Sequence, residues 1–253
     1  MVWWVLVACV ARRTGVEADP IEAPLVAADA LWALRAEPEG LPRALAAYEA
    51  LLGVSSDPRV LARVARAHHR VALVAPTPSE AIGSYETSRE VGERCLAEAP
   101  DVAPSLGGSG WVWTATVLAR VDAGRAPCLT WALAATVGGV EARGRGAMLA
   151  LEPVAALAER ALALTPDDPW VLRSAALLVL LDPRADATAR TTATAQLARA
   201  ADAEPGLLLF AADLAAAEGR AYVPPPPEPE DPFALENAWL RAREKRPAEG
   251  PLR

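Results

Sequence analysis

The residues of this chain that could do chemistry at neutral pH are few and poorly spaced for it. Its only histidines, His68 and His69, are adjacent, and neighbours on a helix point about 100° apart, so they cannot share one ligand geometry. Their four-residue neighbours Val64, Ala65, Ala72 and Leu73 offer no carboxylate or thiol. A surface or interface pair is expected, with no Ser–His or Cys–His nucleophile. Gly107-Gly108-Ser109-Gly110 lacks the Lys-Ser/Thr of a P-loop and the strand–turn–helix frame of a dinucleotide site, and reads as a flexible interhelical loop. Asp167-Asp168 is accounted for as a helix N-cap, and Glu90 and Glu93 as acids on a solvated helical face. Cys9, Cys95 and Cys128 lack the spacing of a zinc or Cys-x-x-Cys redox site. Cys95 and Cys128 fall in apolar helical stretches and read as small buried residues; sequence leaves a disulfide between them open. The expectation is a non-enzyme with no catalytic residue, metal or cofactor.

Two sets of residues keep a functional reading. Leu6-Val7-Ala8-Cys9 follows an apolar start, MVWWVLVA, and resembles a bacterial lipobox, which makes residues 1–8 a signal peptide and Cys9 the lipidation site. Two or more acyl chains anchor stably, and with no apolar run of about 20 residues a lipid is the membrane attachment expected. The second set is Trp111, Trp113 and Trp131. They concentrate in the stretch with the weakest repeat pattern, and their large apolar area suits either core packing or the lining of a ligand channel or partner groove.

These residues need elements to position them. Residues 153–180 carry the clearest pattern: Val154, Ala158 and Ala161 share one helical face, with Leu157 and Leu164 beside them and Ala156, Glu159, Arg160 and Ala163 opposite. Pro166 ends that helix, and Asp167 or Asp168 with Pro169 starts another. Such a unit is the signature of a tetratricopeptide-type repeat. Ser88, Gly92 and Cys95 stand at the same offsets from Pro100, and Ala193, Leu197 and Ala200 from Pro205. Helices are predicted at about 20–35, 41–52, 58–74, 79–99, 111–121, 128–142, 186–203, 207–218 and 233–245. The fold class is therefore all-α, an irregular tetratricopeptide-like superhelix. A tether (9–19) precedes the helical domain (20–221). The proline-rich strap (222–232) cannot be helical, and a capping helix with its tail (233–253) closes the chain.

Composition agrees: 53% of residues are hydrophobic but only 5% aromatic, so the apolar content is Ala, Leu and Val, which favours helix. A net charge of −7 argues against nucleic acid, which is bound by neutralising phosphates.

Together these features resemble the T component of tripartite ATP-independent periplasmic (TRAP) transporters, a family of bacterial lipoproteins with irregular tetratricopeptide-like helices. The resemblance rests on Leu6–Cys9, on Pro127-Cys128-Leu129-Thr130-Trp131 opening a helix, and on residues 151–166. Ala203-Glu204-Pro205-Gly206 and Leu235-Glu236-Asn237-Ala238 also contribute. It implies a periplasmic scaffold that contacts the transporter's solute-binding protein and holds a small hydrophobic ligand in a central pore; no catalytic residue is implied, and a homo-oligomer is compatible with it. Val10 after the lipidated cysteine points to the outer membrane. The alternative is a cell-envelope assembly scaffold unrelated to transport.

Overall fold

A computed structural model describes residues 19–102, 105–107, 110–144, 152–227 and 231–244; Cys9 and the rest of the lipobox lie outside them. The fold is all-α, built of successive helices α1 (Glu22–Ala33), α2 (Gly40–Leu52), α3 (Pro58–Leu73), α4 (Pro78–Ala97), α5 (Ala115–Leu118), α6 (Ala126–Arg143), α7 (Glu152–Leu164), α8 (Pro169–Leu181), α9 (Ala187–Ala203), α10 (Leu208–Ala217) and α11 (Ala234–Glu244). Consecutive helices pack as hairpins, α1 on α2, α3 on α4, α7 on α8 and α9 on α10.

Prolines and short polar caps set the boundaries. Asp57 accepts from the Arg59 amide at 2.8 Å with Pro58 in the first turn, Thr77 caps α4 with Pro78, and Asp186 caps α9. Asp168 caps α8, accepting from the amides of Trp170 at 2.8 Å and Val171 at 3.1 Å. Each cap satisfies amides that a helix start leaves unpaired.

The shared offsets mark the helix contacts. Ser88, Gly92 and Cys95 on α4, Val154, Ala158 and Ala161 on α7, and Ala193, Leu197 and Ala200 on α9 are all buried. Ser88, the polar member, donates to the Ala65 carbonyl of α3 at 2.7 Å. Gly92 is a close approach: a Cβ there would stand 3.0 Å from the Ala132 Cβ of α6. Leu157, expected to fill the groove beside Ala158, is buried as well. Ala156 differs from expectation, because it is half-buried and packs on the core.

The hub is α6. Thirteen of its eighteen residues are buried, the mark of a helix enclosed on every side, and it touches α3, α4, α7 and α8. A Cβ on Gly138 would meet the Tyr85 ring at 2.5 Å, so α6 admits α4 only through glycine. Cys95 and Cys128 are joined by a disulfide, with Cα atoms 6.0 Å apart, tying α4 to α6.

The stretch before α6 corrects the predicted loop at 101–110 and helix at 111–121. Ser105–Gly107 (β1) pairs antiparallel with Gly110–Val112 (β2), Leu106 opposite Trp111. Thr114 then caps the single turn of α5, and Asp122 a 3-10 turn at Ala123–Arg125. A two-residue Gly-Ser connection between glycines, followed by Trp-Val-Trp, carries hairpin and strand preferences that outweigh the helical reading.

The chain's end returns to its start. Asn237 of α11 accepts from the Leu208 amide at 3.0 Å and donates to the Gly206 carbonyl at 2.7 Å and to Asp231 at 2.8 Å. It thereby supplies the cap that Leu207 cannot give α10. Arg35, just past α1, donates to the Pro232 carbonyl at 3.0 Å. Residues 222–227 of the strap form no regular element, and Arg241 of α11 donates to the Pro225 carbonyl at 2.9 Å. No helix among the described residues is long and apolar enough to cross a membrane.

Candidate functional site

The densest concentration of functional groups lies where α3, α4, α6, α8 and α10 meet. His69 is fully buried, which corrects the expectation of a surface pair. Its ring sits 5.3 Å from Tyr85, 5.3 Å from Trp131 and 4.9 Å from Trp170, edge-on to the first and last. Trp131 and Trp170 are 5.7 Å apart, and Phe210 stands edge-on to Trp170 at 5.0 Å. Such tilted and edge-to-face contacts are the favoured aromatic geometries. The partner His68 faces the other way, its Nε2 3.1 Å from Glu49, as the angle between helix neighbours demands.

Arginines flank the aromatic box. The Arg173 Nε donates to Asp213 at 2.6 Å and its Nη2 to Glu141 at 3.0 Å. Burial alone would lower its affinity for its proton, but the two carboxylates reverse this. Arg70 lies with its guanidinium 4.3 Å over the Trp170 ring. Burial pushes its pKa down to about 10, against the pull of Glu236 and Glu204, so it stays charged at neutral pH.

His69 is the titratable centre of this region. Burial, Arg70 and Arg173 together hold its pKa well below the ordinary 6.5; the Ala134 carbonyl is the opposing influence. Neither ring nitrogen makes a hydrogen bond of ordinary geometry within the described residues, and the Ala134 carbonyl is the one backbone group that acts on the ring. The ring is therefore a neutral aromatic wall between two cations. The rings pack on one another as a buried aromatic cluster, with guanidinium groups at its edges. No cluster of three or more His, Cys, Asp or Glu residues among those described is placed to hold a metal ion.

The predicted tryptophans are not brought together. Trp131 belongs to the aromatic box. Trp113 lies in the neighbouring core around the disulfide, where its indole acts on the Glu93 carboxylate. Glu93 is buried rather than solvated, paired with Arg89 at 2.7 Å, and burial raises its pKa against Arg89 and the indole. Trp111 lies on β2 opposite Leu106, its side chain outside the described set. Sequence reasoning missed His69, Tyr85, Trp170 and Phe210. For His69 the signal was present: Leu61 and Ala65 precede it at four-residue steps on one helical face, so its apolar neighbours marked it as buried.

Comparison with known proteins leaves the reading to the molecule itself: no protein-family model matches the chain, and no curated protein does either.

Proposed function

We propose that this protein is a non-enzymatic scaffold of the bacterial periplasm, lipid-anchored through Cys9 to a membrane facing that space, the outer one by Val10. In this reading it is an accessory component of a TRAP-type transporter, comparable to the tetratricopeptide-like T component. Its partner is the solute-binding protein, and the aromatic interior around Trp131, Trp170 and Phe210 receives an apolar ligand. Trp113 supports that interior from the adjoining cluster, and Trp111, on its hairpin, is the candidate for contact with the partner.

The observation that carries this reading is a stack of helical hairpins crosslinked by Cys95–Cys128. Disulfides persist in oxidising compartments such as the periplasm and are rare in the cytosol, and hairpin arrays act chiefly by presenting binding surfaces. The disulfide thus argues for the same compartment as the lipobox, on independent grounds.

The test has two arms. Labelled palmitate fed to bacteria expressing the full chain should enter the protein, and Cys9→Ala should abolish both labelling and membrane fractionation; unchanged membrane association without Cys9 would defeat the anchor. The full chain without its lipid, mixed with the solute-binding protein of a TRAP system from the same cell, should sediment as a complex. Failure to associate with any such protein would defeat the transport role and leave the anchor standing.

A further inference from the structure

Arg70, at the end of α3, is in an unusual position for an arginine. It is 4% exposed, and its Nε and Nη1 are both fully buried without a hydrogen-bond partner among the described residues. A guanidinium carries five N–H donors in a rigid fork, and a buried charge without hydrogen bonds is among the most unfavourable arrangements in a protein. Stacking on Trp170 at 4.3 Å fixes the plane of the fork and leaves its edge unsatisfied.

A carboxylate is brought to that edge without closing on it. The Glu236 Oε1 of α11 stands 3.7 Å from Arg70 Nη1 and 3.7 Å from Arg35 Nε, beyond hydrogen-bonding range. Its Oε2 also has no hydrogen-bond partner among the described residues. Arg35 is held from behind, Nη2 donating to the Pro232 carbonyl at 3.0 Å, with its guanidinium 5.6 Å over Phe233. Buried donors of two arginines thus converge on one carboxylate that closes on neither, with Arg70 lying over Trp170 and Arg35 over Trp32 and Phe233.

We propose that Arg35 and Arg70 form a binding site for a small monocarboxylate with an apolar body, and that Glu236 is its internal stand-in. The ligand's carboxylate takes the place of Glu236 between the two guanidinium edges, where it is recognised in bidentate fashion, and its apolar part lies against Trp170 and Phe233. Arg66 adds to the positive field at Arg70, which favours an anionic head group over a neutral one. The site stands on this geometry alone and requires neither the membrane anchor nor the transporter.

The experiment titrates the full chain with sodium hexanoate at constant ionic strength, following tryptophan fluorescence and calorimetry, with methyl hexanoate as the uncharged counterpart. Hexanoate should bind saturably, one per chain, and the ester at least about tenfold more weakly. Glu236→Gln removes the competing charge and should tighten hexanoate binding about tenfold, whereas Arg70→Gln should abolish it. Should Arg70→Gln melt early, Arg35→Gln, on the less buried side, should still weaken binding about tenfold in a folded protein. Saturable binding to neither wild type nor Glu236→Gln would overturn the proposal, as would equal affinity for hexanoate and its ester.

Discussion

Replacing His69 by phenylalanine should remove a defined part of this protein's acid sensitivity. The folded state holds His69 neutral, because burial and the flanking Arg70 and Arg173 depress its pKa far below 6.5. In the unfolded chain the ring titrates near its ordinary value. Between those two values the unfolded state binds a proton that the folded state refuses, so stability falls as pH falls. His69 therefore contributes its full share above the unfolded pKa, and that share is lost progressively as pH drops toward the folded pKa. One pKa unit is worth about 1.36 kcal/mol, so from about pH 8 to about pH 5 the loss assigned to this ring is at most about 2 kcal/mol, the full amount being reached when the folded ring stays neutral throughout. That is a substantial part of a typical folding free energy of about 5–15 kcal/mol. Phenylalanine keeps the aromatic contacts with Tyr85, Trp131 and Trp170 and carries no proton; it gives up only the weak interaction with the Ala134 carbonyl, at both pH values alike. Urea unfolding of both proteins at the two pH values, read by tryptophan fluorescence, gives a difference of differences. Other titrating groups then cancel, among them His68, Glu93 and Glu204. Wild type should lose more than His69→Phe on acidification, by up to about 2 kcal/mol. Equal losses would refute the placement of a neutral imidazole between two arginines.

Other perturbations probe the packing and its closures. Ala161→Leu should overpack the α7 contact and cost roughly 1–3 kcal/mol, while Ala163→Leu on the exposed side of the same helix should cost far less; equal shifts in melting would mean the helix faces the other way. Asn237→Ala strips the cap from α10 and leaves the Leu208 amide and the Gly206 carbonyl without their partner. It should cost about 2–3 kcal/mol in denaturant unfolding, and a loss within experimental error would show that α11 does not dock there. The Cys95–Cys128 crosslink spans a sequence separation of 33, for which chain entropy gives about 3.7 kcal/mol. The double alanine variant should lose an amount of that order, and reducing agent should have no further effect on it.

Much of the helical framework was legible because its punctuation is local. Asp57-Pro58, Thr77-Pro78 and Asp168-Pro169 each announce a helix start through a side-chain cap and a proline that needs no donor, and the small residues upstream of Pro100, Pro166 and Pro205 marked contact faces. What was not legible depends on several elements at once. The prominence of α6 could not be read, since a helix buried on all sides has no polar face to reveal its period. The β1–β2 hairpin was hidden by a helical expectation propagated from its neighbours, although its glycines and its Trp-Val-Trp run were local signals. Arg70 shares one helical face with Arg59, Arg63 and Arg66 at four- and three-residue steps. In sequence that stripe is indistinguishable from a solvated one; only the arrival of Trp170 and α11 encloses its last member.

The return of α11 has a consequence for how the molecule comes apart. In an open hairpin array each unit leans only on its neighbours, so terminal units fray independently and unfolding spreads along the chain. Here Arg35 reaches Pro232 across a separation of 197 residues, and Glu236 lies against both Arg35 and Arg70. The first and last hairpins therefore lose their tertiary partners together, and neither end is a free end in the energetic sense. Contacts so distant in sequence form only after the intervening chain is ordered, so they add to the barrier against opening more than to the speed of assembly. They also fix the length of the array, because a further hairpin added after α10 would have to displace the helix that already caps it.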